Sequence, residues 1–374
     1  MRYGYVEPNP HRSYVEQWSL NFQRELFPSF TLTAGYVGSH GVHLPYHTDD
    51  INDVQPLPQL ASGGYLWPTA AGSPRLFTSP TVQGQVSANT WSAVSTYHGL
   101  NVEAVKRLSH GVQIQGSYTF SKSIDTSSSG IAGDTFGNSA SSLPFFDSKL
   151  RRGLSDFDVR HTLAINALWQ VPGPTSWSRG PRWTASGWQV GGIFTLTSGL
   201  PFTPTIGGDP LGLSSGDNYA FPDRTRGCNA VDANFNQDKL LYINAACFTL
   251  PMSTPAIAAQ CQLFGINAKP PAPVAGTCAN LLGNSGRNTV IGPGLQDMDF
   301  SLFKNNPIHR ISETFNAQFR WEVFNIANHA NFAPPAPTAR QVFTGTGGTN
   351  TNAGLISSTS TNSRQMQFAL KFIW

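Results

Sequence analysis

The sequence predicts an all-β chain, an antiparallel wall of about nine strands, each long enough to cross a lipid bilayer. Three observations predict it. Segments of about ten residues recur in which apolar and polar side chains alternate, and a strand places successive side chains on opposite faces. The connections between these segments run short, long, short, long. The final segment, residues 364–374, puts Met366, Phe368, Leu370, Phe372 and Trp374 on one face. Gln365, Gln367, Ala369 and Lys371 take the other, and about 9–11 tilted residues are enough to span the hydrocarbon.

Composition agrees. Charged residues make up 12% of the 374, against about 25% in an average soluble domain. Gly, Asn, Gln, Ser and Thr replace them, and the 24 Phe, 9 Trp and 10 Tyr suit lipid-facing strands and interfacial girdles. No run approaches the ~18 apolar residues of a membrane-spanning helix. The net charge of +3 is too small and too scattered for a nucleic-acid partner. No H-E-x-x-H, Walker-type loop or dinucleotide fingerprint occurs, and the expectation is a non-enzyme without cofactors.

The strands follow in order. Residues 14–26 set Tyr14, Trp18, Leu20 and Phe22 against Gln17, Ser19, Asn21 and Gln23. Residues 30–39 set Phe30, Leu32, Ala34 and Tyr36 against Thr31 and Thr33. In 97–107, Leu100, Val102 and Ala104 oppose Asn101 and Glu103; in 112–121, Val112, Ile114, Tyr118 and Phe120 oppose Gln113, Gln115, Ser117 and Thr119. Residues 160–171 carry Leu163, Ile165, Ala167 and Trp169 on one face, and 188–198 carry Trp188, Val190, Phe194 and Leu196. Residues 296–304 set Met298, Phe300 and Leu302 against Asp297, Asp299 and Ser301. Residues 315–325 set Phe319, Trp321 and Val323 against Gln318, Arg320 and Glu322. The segment 364–374 is the ninth. The polar residues Asp299, Arg320 and Glu322 thus face inward, toward a wet or plugged lumen.

An apolar-out final strand ending on an aromatic resembles the C-terminal strand of bacterial outer-membrane barrels, with Phe368, Leu370, Phe372 and Trp374 as the part the assembly machinery reads. If Trp374 ends in the periplasm, every short turn is periplasmic. The long connections 40–96, 122–159, 199–295 and 326–363 are then extracellular loops. Nine strands put residues 1–13 in a preceding outer loop, and an even strand count requires at least one more strand upstream. The opening M-R-Y-G-Y-V-E-P-N-P has no apolar h-region, so the expectation is a C-terminal part of a longer exported precursor.

Several stretches extend the resemblance: W-S-L-N-F-Q-R-E-L (18–26), G-Y-V-G-S-H-G-V-H-L (35–44), S-Y-T-F-S-K-S-I-D (117–125), G-L-S-D-F-D-V-R-H (153–161) and T-S-G-L-P-F-T-P (197–204). To these add G-N-S-G-R-N-T-V-I-G-P-G-L-Q-D-M-D-F-S-L-F-K (283–304) and F-R-W-E-V-F-N-I-A-N-H-A-N-F (319–332). In order, these resemble the C-terminal barrel half of Oar-like TonB-dependent transporters, of the type abundant in acidobacteria. The resemblance implies residues 1–374 as part of a 22-strand barrel, with signal peptide, regulatory-like domain and plug outside this sequence. It also implies energised uptake of a large or scarce solute in the outer membrane. The partners would be the lipid bilayer, the barrel-assembly machinery, the TonB complex and an extracellular ligand. The alternatives are a surface protein for adhesion or signalling, a plugless pore, or a soluble secreted β-protein.

Four side-chain groups invite a chemical role. Cys228, Cys247, Cys261 and Cys278 all lie in the 199–295 loop, where an oxidising location favours disulfides, with three pairings open. A zinc site is the alternative, without C-x2–4-C spacing to support it. His40, His43 and His47 are metal candidates, weighed against loop-surface histidines because 40 and 43 point opposite ways in an extended chain. Asp156 with Asp158, and Asp297 with Asp299, resemble calcium-type oxygen clusters but lack the EF-hand spacing. The structural reading has them bonding loop backbone or pairing with Arg160, Arg287 or Arg320. The inward Gln, Asn, Ser and Thr favour a neutral hydrogen-bonding solute such as an oligosaccharide or peptide, with a chelate the other possibility.

Overall fold

The computed structural model describes residues 3–69, 73–77, 84–128, 136–140, 143–214, 219–233, 235, 240–265 and 274–374. Nine long strands lie in chain order: Tyr14–Phe27, Phe30–Thr48, Val86–Ser109, Val112–Asp125, His161–Gln170, Trp188–Thr197, Leu295–Pro307, Asn316–Phe324 and Gln365–Ile373. They are numbered first to ninth below. Each pairs antiparallel with the next, so the sheet is an up-and-down meander. Among the described residues the first and ninth strands are paired on one side only, and the sheet is an open wall.

The pairing keeps like faces in step. Val112, Trp169, Val190, Leu302, Trp321 and Phe368 succeed one another across the fourth to ninth strands. One residue along each strand, Gln113, Leu168, Gly191, Ser301, Glu322 and Gln367 form the neighbouring row on the other face. Cross-strand contacts of this kind stabilise a sheet by about 0.2–1 kcal/mol each, and the Trp321 and Phe368 rings stack 6.1 Å apart. Much of the apolar face is bare among the described residues: Phe22 is 69% exposed and Phe368 68%. So much contiguous apolar surface requires a lipid solvent, and a sheet suits that solvent because it satisfies its backbone internally.

The short turns are built from turn chemistry. His110 (φ 51°) and Gly111 (φ 74°) close a two-residue hairpin between Ser109 and Val112, matching the positive-φ turns that suit strand twist. A side chain on Gly111 would come 2.8 Å from the Gln170 carbonyl oxygen, so glycine is required there. The 171–187 connection contains a short helix, Arg179–Ala185, where only a turn is expected from sequence.

Two boundaries differ most from expectation. The second strand runs on to Thr48 and the third begins at Val86, so residues 40–48 and 86–96 form a paired ribbon rather than loop. Register shifts between Gly41 and Leu44 and between Leu44 and Tyr46 mark irregularities that absorb His43 (φ 54°) and Pro45. Each shift breaks the alternation that identifies a strand.

The hydrophobic core lies in the connections. Val54, Trp67, Phe202, Leu213, Tyr219, Phe221, Phe248, Phe264 and Val342 are buried in one cluster. They come from the long connections 49–85, 198–294 and 325–364, all on one side of the wall. Burying each large side chain contributes about 1.5–3 kcal/mol, so these connections form a cap with its own stability.

Candidate functional site

The cap is fixed to the wall around Arg287, from the G-N-S-G-R-N stretch. Its Nη1 donates to Asp125 Oδ1 (2.6 Å) and to the Arg151 carbonyl (3.2 Å); its Nη2 donates to Asp156 Oδ1 (2.9 Å) and Ser128 Oγ (2.6 Å). Asn288 Nδ2 adds a 2.6 Å bond to the same Asp156 oxygen, and Ser139 Oγ donates to Asp156 Oδ2 at 2.6 Å. Burial alone would lower the pKa of Arg287, but the adjacent Asp125 and Asp156 carboxylates raise it above its ordinary value. Asp158 accepts from the Ser123 N–H (2.5 Å) and lies 3.9 Å from Arg160 Nη2. These carboxylates are engaged by protein groups.

A second arginine ties another connection into the cap. Arg340 donates to the carbonyls of Pro335 (2.8 Å), Ser139 (2.9 Å) and Gly137. Burial pulls its pKa down to about 10 against the raising influence of Asp156, so it remains charged at neutral pH. Asp125, Ser139 and Arg340 are absent from the sequence-predicted groups. Asp125 was visible as the last residue of S-Y-T-F-S-K-S-I-D; the other two carried no local signal.

Cys228 bonds to Cys247, and Cys261 to Cys278. Closing loops with separations of 19 and 17 residues removes about 3 kcal/mol each of unfolded-chain entropy in the loop-closure account. The three candidate histidines are not brought together. His40 Nδ1 lies 3.1 Å from Thr96 Oγ1, His43 stacks on His11 at 4.9 Å, and His47 Nδ1 lies 2.9 Å from Asn89 Oδ1. No group of three His, Cys, Asp or Glu residues fit to hold a metal occurs among the described residues.

On the polar face, Asp299 accepts from the Asn325 N–H (2.9 Å) and Glu322 accepts from Gln367 Nε2 (2.6 Å). Arg320 Nε donates to Gln318 Oε1 (2.6 Å), and its guanidinium lies 5.3 Å from the Phe303 ring centre. The partners of all three are neutral.

Asp223, where the cap strands Asp223–Arg224 and Phe248–Thr249 pair, is titratable. Burial raises its pKa above 3.8, partly offset by the Asn284 N–H it accepts at 2.9 Å. An acid with a raised folded pKa gives a cap that loses stability as pH rises from 3.8 through the folded value and is flat above it. Asp223→Asn keeps the acceptor and removes that loss. Thermal unfolding should show the variant's advantage over the parent at pH 7 and its disappearance at pH 3; a pH-independent difference refutes the assignment.

The cap's open cleft forms where Thr205–Ile206 pairs in parallel with Gln341–Phe343. It encloses about 380 Å³ over Gly207, Gly208 and Gly345, with walls from Thr338, Gln341, Thr344, Asn350, Asn352 and Ser357. Among the described residues no charged side chain lines it. Asn350 Nδ2 bonds the Gln341 carbonyl (2.7 Å) and holds the wall, whereas the Gln341 and Asn352 side-chain amides have no hydrogen-bond partner among the described residues and can serve a ligand. Nothing in the local sequence distinguished these residues from other polar loop residues.

Residues 1–367 match the family described as outer membrane beta barrel domain, which places the chain in the bacterial outer membrane. No curated protein matches. Among solved structures, the outer membrane transporter YddB from Escherichia coli aligns with a TM-score of 0.42 and 9% identity, covering 96% of this chain. The chain spans 32% of the length of that protein.

Proposed function

This chain belongs to the outer membrane beta barrel domain family, and we propose that it forms part of the barrel wall and outer cap of a TonB-dependent uptake receptor for a neutral, hydrogen-bonding solute. The observation that carries this reading is the cap cleft of about 380 Å³, lined by amides, hydroxyls and glycines without charge. Neutral amide and hydroxyl donors and acceptors match the hydroxyls of an oligosaccharide or the backbone of a peptide, and they offer an anionic chelate no counter-charge. The Oar-like motifs support energised transport, with the regulatory-like domain, plug and TonB contact belonging to other parts of the transporter. The barrel-assembly machinery would act on Phe368 to Trp374. This reading assigns the cleft and the wall no enzymatic role.

The self-cored cap favours a second reading, a barrel that anchors a display surface for adhesion or signalling. Uptake of labelled neutral oligosaccharides and peptides into cells, with and without a protonophore, separates the two. Energised uptake requires a protonophore-sensitive signal, and Gln341→Ala with Asn352→Ala should weaken binding about tenfold through two lost hydrogen bonds. Uptake insensitive to the protonophore indicates a pore, and absence of uptake indicates display.

A further inference from the structure

The short-turn end of the wall carries a cation where the lipid-facing pattern calls for an apolar residue. Lys304 is paired with Trp188 and Phe319, which places it on the same face as Leu302 and Trp321. It lies three positions before the strand ends at Pro307, at the level where a membrane interface begins. A charge there costs about 0–1 kcal/mol, against about 2–4 kcal/mol at the bilayer midplane.

The helix Arg179–Ala185 folds back over it. Lys304 is 7% exposed, and its Nζ donates to the Trp183 carbonyl (2.9 Å) and to Asn306 Oδ1 (2.8 Å). The ammonium also sits 5.1 Å from the Trp183 ring centre and 5.8 Å from that of Trp188. All of these partners are neutral. Arg182 opens into the same pocket, and neither cation has a carboxylate within 4 Å among the described residues. The pocket encloses about 460 Å³, and its rim presents Trp177 and Trp183.

We propose that this pocket binds the phosphate of an anionic glycerophospholipid in the leaflet bordering the short turns. The guanidinium of Arg182 contacts the phosphate oxygens, and Lys304 supplies the buried positive potential beneath them. The two indoles sit at headgroup level, and the acyl chains run along Trp188 and Phe319 on the outward face. A lipid source rather than a free anion follows from this placement, because Lys304 shares the apolar face of Leu302 and Trp321.

The test is native mass spectrometry on the protein extracted from outer membranes, with phosphatidylglycerol and phosphatidylcholine added in turn. The parent should retain phosphatidylglycerol at least about tenfold better than phosphatidylcholine. Arg182→Gln should lose that preference, and Lys304→Met should lose it too where its heat-modifiable band shows an intact barrel. Arg182 is exposed on a helix outside the sheet, so its replacement tests binding without a folding demand. Equal retention of both lipids, unchanged phosphatidylglycerol retention in Arg182→Gln, or displacement of the lipid by millimolar inorganic phosphate overturns the proposal.

Discussion

Replacing Arg287 by methionine is expected to release the cap while leaving the wall assembled. The guanidinium is buried and faces two carboxylates, Asp125 and Asp156, which are themselves 3% and 4% exposed. Removing the cation leaves both charges without their partner in a poorly solvated place, and breaking a buried pair in this way costs about 3–5 kcal/mol. Lysine is an incomplete substitute: one ammonium cannot reproduce the fork that reaches Asp125, Ser128, Asp156 and the Arg151 carbonyl together. Adding Asp156→Asn to the methionine variant should recover part of the loss, because it removes one uncompensated charge.

Limited proteolysis of intact cells reads the cap, and the heat-modifiable band in gels reads the wall. The methionine variant should be cut rapidly in the 198–294 connection yet keep the band. Arg226→Ala, at an exposed cap position, should behave as the parent. Parental protection in the methionine variant would show that the salt-bridged cluster is dispensable.

The wall was legible in sequence because lipid imposes one rule on every strand. Each outward position must be apolar over the whole crossing, so alternation persists in strands as different as residues 188–198 and 364–374. The ribbon beyond residue 39 was hidden by register shifts that reverse the phase around His43 and Pro45. The cap was hidden for a different reason. Its contacts join distant residues: Asn280 Nδ2 donates to the Trp67 carbonyl across 213 positions, and Tyr219 reaches Asp53 across 166. No periodicity records such pairs. The histidine trio shows the converse error, since closeness in sequence suggested a shared role and the ribbon geometry gave each ring a separate partner.

Adjacent residues of the seventh strand should respond to arginine in opposite ways. Leu302 lies between Val190 and Trp321 on the apolar face, near the middle of Leu295–Pro307. Leu302→Arg places a guanidinium in the hydrocarbon, at a cost of about 2–4 kcal/mol, and the heat-modifiable band should fall sharply or vanish from outer membranes. Ser301 lies between Gly191 and Glu322 on the polar face. There an arginine meets water, a glycine that leaves room above the sheet, and a carboxylate whose present partner is the neutral Gln367 amide. Ser301→Arg should therefore assemble normally and change stability by less than about 1 kcal/mol. The contrast tests facing directly, because a one-residue slip exchanges the two faces of every strand at once. If Leu302→Arg assembled as well as Ser301→Arg, the apolar row from Val112 to Phe368 would not be the lipid-facing surface, and the wall would have to be turned over.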